Sequence, residues 1–346
     1  MGHVLPHHAP AADEADPLAR LTAQGVAEVE RVIRPYVRLT PTVTLDRAEF
    51  GLPPGPLTLK LELMQHSGSF KARGAFTNLL LRDVPATGVA AASGGNHGAA
   101  VAYAASVLGV PAHIFVPEVS SPAKISRIRS YGAELVVKGE TYSDAYVICQ
   151  EWIAANGALP VHAYDQAETI LGAGTTGLEL ARQVPAATTV LASVGGGGLL
   201  SGIATAISDR MRVVGAEPEG APTMTAALAA GRPVDAATGS VAVDSLAPRR
   251  VGELTFAVTS KRAQAIVLVS DEAITSAQRL LWERARIVAE PGGCAAFAAL
   301  LSGAYSPERD EHVAVVLSGA NTTAVDFARA GSAEQRSAQP AVGFTR

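Results

Sequence analysis

The sequence predicts an α/β fold built from doubly wound, mainly parallel sheets. Short apolar strands alternate with helical segments along most of its 346 residues, the links between them are short, and glycine-rich turns follow two of the strands. This alternation is typical of a parallel sheet covered by helices on both faces. Ligands of such sheets bind where the strands end, so the loops at the carboxyl ends of strands are the first place to look for function.

The first half of the chain supplies several of these units. Apolar residues at helical spacing predict a helix over residues 26–37, which Thr40 and Pro41 stop, and residues 57–63 are predicted to be extended. Three strands and two helices follow, with Ser121 and Pro122 expected to begin the second helix. The predicted strands are 89–92, 112–116 and 134–137, and the helices are 98–108 and 121–131. Ala145, Cys149 and Trp152 lie on one helical face, so Cys149 is interpreted as a core residue.

The second half continues the alternation. We predict strands over 161–164, 189–194, 213–217, 265–269 and 313–317, and helices over 175–183, after the glycine run near 195 and from Asp271 onward. A polar and alanine-rich connector is expected over 218–246. Residues 1–20 and 331–346 have compositions typical of mobile tails.

Composition excludes several classes of partner. The net charge of −4 gives no basic surface for nucleic acid or an anionic membrane, and no apolar run is long enough to cross a bilayer. Two cysteines, Cys149 and Cys294, cannot build a disulfide framework or a four-cysteine metal site. The chain also opens without a charged and then apolar leader, so we expect a cytoplasmic protein.

Lys71 is the strongest candidate for chemistry. It lies in a stretch of small and apolar residues that reads Ser-Gly-Ser-Phe-Lys-Ala-Arg-Gly-Ala over residues 67–75. A lysine amine desolvated by such neighbours loses its proton more easily and can condense with an aldehyde as a Schiff base. This stretch resembles the cofactor-lysine motif of the serine/threonine dehydratase and serine racemase family. The resemblance implies pyridoxal phosphate on Lys71, Phe70 beside its ring, and the fold of tryptophan synthase β subunits, known as fold type II.

A run of four glycines indicates a phosphate site. Gly195, Gly196, Gly197 and Gly198 follow an apolar strand and open a helix, where backbone amides and the helix dipole can hold a phosphate. A dinucleotide fingerprint is the competing interpretation, because Glu217 follows about twenty residues later. That reading leaves Lys71 unexplained and has a serine at its third glycine position.

A second loop, Ser93-Gly94-Gly95-Asn96-His97-Gly98, resembles the family's asparagine loop. The resemblance implies that Asn96 contacts the cofactor's phenolic oxygen and that Ser93, Asn96 and His97 gather the substrate carboxylate. In the serine racemases of the family a serine at the position of Gly94 acts as a second base. Glycine cannot take a proton, so racemisation is disfavoured, and departures from the cysteine synthase motifs disfavour β-replacement.

The resemblance assigns two further positions. Ser318, at the end of the last predicted strand, matches the residue that meets the pyridine nitrogen, and a neutral partner there makes the cofactor a milder electron sink. Glu217 and Ala221 match two ligands of a divalent cation found in some relatives. Thr223 replaces the second acid, which weakens such a site because hard cations prefer carboxylates.

Together, the resemblance implies a dehydratase that removes water from a β-hydroxy amino acid such as L-threonine or L-serine, giving a 2-oxo acid and ammonia. Residues 80–164 would form a small domain inserted into a larger one made of 21–79 and 165–330, and the protein would be a homodimer. A non-catalytic ligand-binding protein of the same fold is the alternative outside enzymes.

Overall fold

The computed structural model describes residues 16–246 and 248–322. The predicted tail 331–346 and most of the predicted tail 1–20 lie outside these ranges. The described part of the chain forms two sheets flanked by helices. The strands are β1 (Thr42–Asp46), β2 (Pro56–Lys60), β3 (Val89–Ala92), β4 (Ala112–Val116), β5 (Glu134–Val137), β6 (Leu159–Pro160), β7 (Thr189–Ser193), β8 (Arg212–Pro218), β9 (Ala265–Val269) and β10 (Val313–Val316). The helices are α1 (Ala23–Ile33), α2 (Lys71–Leu81), α3 (Asn96–Leu108), α4 (Pro122–Ser130), α5 (Tyr142–Asn156), α6 (Ala167–Gln183), α7 (Gly198–Ile207), α8 (Thr223–Ala230), α9 (Val243–Leu246), α10 (Glu253–Arg262), α11 (Asp271–Ala285) and α12 (Pro291–Leu301).

The larger sheet has six strands in the order β1-β2-β10-β7-β8-β9. All neighbours are parallel except β1, which runs antiparallel to β2. Its central strand β10 is apolar on both sides because both sides are covered. Val313 and Val315 pack with α12, whereas Ala314 and Val316 pack with α7. Helices therefore cover both faces, as the alternation predicts.

The smaller sheet has four parallel strands in the order β5-β4-β3-β6. Ala90 and Ala92 of β3 pack beneath α5, in a cluster that includes Cys149. Cys149 is buried, and burial raises the pKa of its thiol to about 12. Its predicted role as a core residue is confirmed.

The carboxyl ends of strands from both sheets meet in one region. Asn96, after β3, bonds to Glu290 and to Asn321, which follows β10. Lys71 bonds to Ala163, after β6. This convergence is what a parallel-sheet fold predicts for a binding site.

Several predicted elements need correction. The connector 218–246 contains α8 and α9, because its alanine-rich part favours a helix and the Glu217 carboxylate accepts from the first amides of α8. Helices α10 and α12 were not predicted at all. The strand predicted at 161–164 is wrong, because those residues form a turn that starts after β6.

Helix α6 begins eight residues earlier than its apolar pattern predicts. Its glycines hide the pattern, yet they are needed for packing on α7. A Cβ on Gly174 would lie 2.8 Å from the carbonyl oxygen of Gly202. Each glycine makes the helix less stable by about 1 kcal/mol relative to alanine, and the close packing of α6 on α7 offsets this loss.

Two helix starts differ in their capping. Thr22 accepts from the Gly25 amide, so α1 begins before the predicted boundary. Ser121 occupies the N-cap position of α4 as predicted, but its side chain caps nothing and its hydroxyl has no partner among the described residues. No described helix is long and apolar enough to cross a membrane.

Candidate active site

Lys71 begins α2, with its amine directed at the turn that follows β6. Its Nζ donates to the carbonyl oxygen of Ala163 at 2.6 Å and lies 5.0 Å from the centre of the Phe70 ring. Burial lowers the pKa of the Lys71 amine to about 8, although the nearby Glu290 acts in the opposite direction. A neutral amine is therefore accessible near physiological pH, as an imine-forming lysine requires.

The segment before Lys71 is attached to the segment after β10. The Phe70 amide donates to the carbonyl of Ser318 at 3.1 Å, and Ser69 forms an isolated bridge with Gly319. Ser318 is buried. The two predicted residues, Lys71 and Ser318, are thus held close together by backbone contacts.

The four glycines form a loop of free amides at the start of α7. The backbone N–H groups of residues 195–200 donate to no protein acceptor in the described part of the chain. Gly197 has φ +92°, a conformation that favours glycine. Consecutive free amides at a helix N-terminus form a nest for an anion, and a phosphate has the charge and oxygens to fill it.

Side chains enclose this nest closely. A Cβ on Gly196 would lie 2.3 Å from the Tyr164 ring, and one on Gly197 would lie 2.9 Å from Cβ of Thr255. Tyr164 directly follows Ala163, so the turn that receives Lys71 also packs on the glycines. The amine and the nest therefore border one site.

The Asn96 side chain is held by hydrogen bonds to Glu290 and Asn321. Its Nδ2 donates to Glu290, and its Oδ1 accepts from Nδ2 of Asn321 at 2.6 Å. Burial raises the pKa of Glu290, although the bonds from Asn96 and Asn321 oppose the shift. Among the described residues the Asn96 amide donates one N–H, to Glu290, so its second N–H can bind another group.

His97 and Ser93 lie in the same loop. The His97 Nε2 donates to the carbonyl of Val161 at 2.9 Å, which leaves Nδ1 as an acceptor. Burial and the charge of Lys71 lower the pKa of His97 to about 3, so the ring is neutral at physiological pH. The Ser93 hydroxyl accepts from the Gly95 amide. Contact with a substrate carboxylate stays a prediction for both, and His97 would meet it without charge.

Cys294 is a packing residue. It is fully buried, its Sγ lies 3.3 Å from the carbonyl oxygen of Pro291, and burial raises its pKa to about 12. A thiol in this setting is inert.

The cation predicted at Glu217 and Ala221 finds no support. Both carboxylate oxygens of Glu217 accept from α8, from the Met224 amide at 2.6 Å and from the Thr225 amide at 2.9 Å. No cluster of three or more His, Cys, Asp or Glu suited to a metal occurs among the residues that the structure describes. Glu217 is a helix cap.

The buried carboxyl of Glu217 should make the stability of the protein depend on pH. Burial raises the pKa of Glu217 to about 7, despite the amides that bind it. A carboxyl whose folded pKa exceeds its unfolded one stabilises fully below the unfolded pKa, and that contribution is lost as pH rises through 7. Glu217→Gln cannot ionise and should escape this loss. The free energy of unfolding of the variant minus that of wild type should therefore rise by about 1–3 kcal/mol between pH 5 and pH 8.

Urea unfolding of both proteins at several pH values measures this difference. Glu272→Gln, on the exposed first turn of α11, is the matched control and should follow the wild-type curve. Parallel curves for Glu217→Gln and wild type would contradict the assignment.

The geometry of Lys71 and the glycine loop defines a class of protein. A buried amine with a pKa of about 8, bordered by an anion nest, suits a phosphorylated aldehyde, which would bond to the amine at one end and to the amides at the other. The side chains present therefore fit an enzyme that binds such a cofactor covalently through a lysine.

The chain belongs to the pyridoxal-phosphate-dependent enzyme family, whose model matches residues 33–319. A phenylserine dehydratase of Ralstonia pickettii is 36% identical over 311 residues, covering 88% of this chain and 94% of the relative. An L-threonine ammonia-lyase of Thermotoga maritima is 34% identical, covering 87% of this chain and 76% of the relative.

Solved structures agree. A threonine deaminase of T.th. superimposes with TM-score 0.81 at 39% identity, covering 87% of this chain and 98% of the other. A maize serine racemase has TM-score 0.81 at 31% identity, covering 88% and 94%. The predicted family and fold class are confirmed, and the cofactor is pyridoxal phosphate. The dinucleotide interpretation loses its basis, since the family to which the chain belongs depends on pyridoxal phosphate.

Proposed function

We propose that this enzyme is a dehydratase that eliminates water from β-hydroxy amino acids such as L-threonine or L-serine and releases a 2-oxo acid and ammonia. The observation that carries the proposal is the position of the buried Lys71 amine beside the glycine loop that can hold a phosphate. Burial lowers the pKa of this amine to about 8. The names of the dehydratase and ammonia-lyase relatives support the reaction type.

Each predicted site residue has a proposed task. Pyridoxal phosphate, when bound, supplies the electron sink for the substrate's Cα. Lys71 would hold the cofactor and would take the Cα proton on its Nζ amine. The amides of Gly195 to Gly198 would hold the phosphate, Ser318 would bond to the pyridine nitrogen, and Phe70 would pack beside the ring. Asn96 would bind the phenolic oxygen, while Ser93 and His97 would bind the substrate carboxylate.

Racemisation is the second candidate because serine racemases are among the similar structures. The position of Gly94 argues against it. Glycine has no side chain that could take a proton. Chemistry on the Lys71 side of the substrate alone favours elimination.

The test is a 2-oxo acid and ammonia assay with L-threonine, L-serine, phenylserine and 3-hydroxyaspartate. We expect equal amounts of 2-oxo acid and ammonia from at least one of them. Chiral chromatography of the remaining amino acid measures racemisation in the same samples. Formation of the opposite enantiomer without 2-oxo acid would overturn the dehydratase proposal in favour of a racemase.

We also propose a cytoplasmic homodimer in which residues 80–164 form a small domain. The two buried, unpaired cysteines suit a reducing compartment. The four strands of the smaller sheet all fall between residues 89 and 160, which supports the domain boundaries. Light scattering on the purified enzyme tests the dimer, and a monomer mass would refute it.

A further inference from the structure

The turn that receives Lys71 also reaches the start of α10. The His162 Nδ1 accepts from two amides of the turn, those of Tyr164 at 3.3 Å and Asp165 at 2.8 Å. Gln166 and Thr169 bond to the backbone of His162 as well. These contacts fix the direction in which the Asp165 carboxylate leaves the turn.

The Asp165 carboxylate caps α10, which lies about 90 residues further along the chain. It accepts from the amides of Glu253 at 3.0 Å, Leu254 at 2.9 Å and Thr255 at 3.3 Å. The N-cap residue of α10 is Gly252, which has no side chain to perform this task. A Cβ on Gly252 would lie 2.1 Å from Cγ of Asp165, so the carboxylate fills that space.

The capped helix in turn holds the glycine loop. Thr255, which is fully buried, donates from Oγ1 to the carbonyl oxygen of Gly196 at 2.7 Å. In a trans peptide the carbonyl and the following N–H point in opposite directions. The Gly196 carbonyl points toward Thr255, so the N–H of Gly197 points away from α10. This N–H has no protein acceptor in the described chain.

We infer that Asp165 and Thr255 are positioning residues that fix the peptide between Gly196 and Gly197 with its N–H toward the cofactor phosphate. Both residues would act through the glycine loop, because Asp165 bonds to the start of α10 and Thr255 bonds to Gly196. The inference rests on the proposed phosphate-binding role of the glycines. Phosphate binding by the glycine loop would thus depend on a chain of contacts that runs from Asp165, in the turn beside Lys71, through Thr255 of α10 to Gly196.

The test compares pyridoxal phosphate with pyridoxal, which lacks the phosphate. The cofactor is displaced from the full-length protein with hydroxylamine and removed by dialysis, the protein is titrated with each aldehyde, and the ratio of the two Kd values gives the phosphate preference. Asp165→Ala and Thr255→Val should each lower this preference about tenfold, as expected for one lost hydrogen-bonding contact. The Kd for pyridoxal should change less than about threefold, since the lysine is untouched.

A double variant shows whether Asp165 and Thr255 act through one chain of contacts or independently. Because the two residues act in series, Asp165→Ala with Thr255→Val should lower the preference no further than either change alone. Asp144→Ala is the matched control, because Asp144 caps α5 by accepting from Thr141. It should lose comparable stability and keep the wild-type preference.

The outcomes distinguish this inference from the proposal beneath it. A wild-type protein that binds both aldehydes equally would remove the phosphate role of the glycines, and the inference with it. A wild-type preference that survives in Asp165→Ala and Thr255→Val would overturn the inference alone. Equal weakening of both aldehydes would also overturn it, because that result indicates general loosening of the site.

Discussion

Replacing Lys71 by alanine is expected to lower the rate of 2-oxo acid formation by about five orders of magnitude, because one change removes the covalent anchor of the cofactor and the base for the Cα proton. The visible absorbance of the lysine-bound cofactor should disappear as well. Lys71→Arg should fail equally, since it keeps the positive charge but cannot form the imine. Absorbance and turnover of the purified variants measure both effects.

The control is a lysine of the same chemistry outside the site. Lys261 is exposed in the last turn of α10, so Lys261→Ala should keep wild-type turnover and absorbance. Circular dichroism of all three variants separates loss of chemistry from loss of fold. Retained turnover in a folded Lys71→Ala protein would remove the mechanism.

The sequence predicted the strands better than the helices. The strands 89–92, 112–116, 134–137 and 265–269 match the structure residue for residue, because short apolar runs bounded by turn residues are unambiguous in an alternating fold. Helices whose pattern is diluted by glycine or alanine were shortened or missed. Helix α12 is an example, because it is buried on all sides and therefore has no polar face to give a period.

The site, too, could be predicted only in part from the sequence. Local motifs located Lys71, Asn96, the glycine loop and Ser318, and the structure places these residues in one region. Glu290, Asp165 and Thr255 act on that region through contacts between residues far apart in the chain. Spacing along one sequence carries no information about such pairs.

A second residue of the lysine motif, Arg73, belongs to a buried charge network. Its guanidinium forms paired hydrogen bonds with Glu62, at 2.7 and 2.8 Å, and with Glu179, at 2.8 Å each. Lys60 donates to Glu179 at 2.8 Å. All four side chains are at most 1% exposed. The network joins α2, which carries Lys71, to α6 and to the chain that follows β2.

The charges of this network depend on Arg73. Burial alone would raise the pKa of Glu179, but the hydrogen bonds and charge of Arg73 lower it to about 2. A carboxyl whose folded pKa is depressed contributes stability above its unfolded pKa and loses it as pH falls toward the folded value. The wild-type network should therefore contribute fully at neutral pH and weaken below about pH 4.5.

We expect Arg73→Met to lower the free energy of unfolding by about 3–5 kcal/mol at pH 7, because it leaves the buried Glu62 carboxylate without an ion-pair partner in the described chain and leaves Glu179 with only Lys60 and the partly exposed Arg34. The loss should shrink as pH falls toward 4, since the unpaired carboxyls of the variant can then take up protons while the wild type loses stability. Urea unfolding at both pH values measures it. Arg249→Met is the matched control: Arg249 pairs with Asp235 where both are exposed, so this change should cost less than about 1 kcal/mol. A loss for Arg73→Met as small as that of the control, or one that grows on acidification, would contradict the view that buried charge pairing holds α2, and with it Lys71, in place.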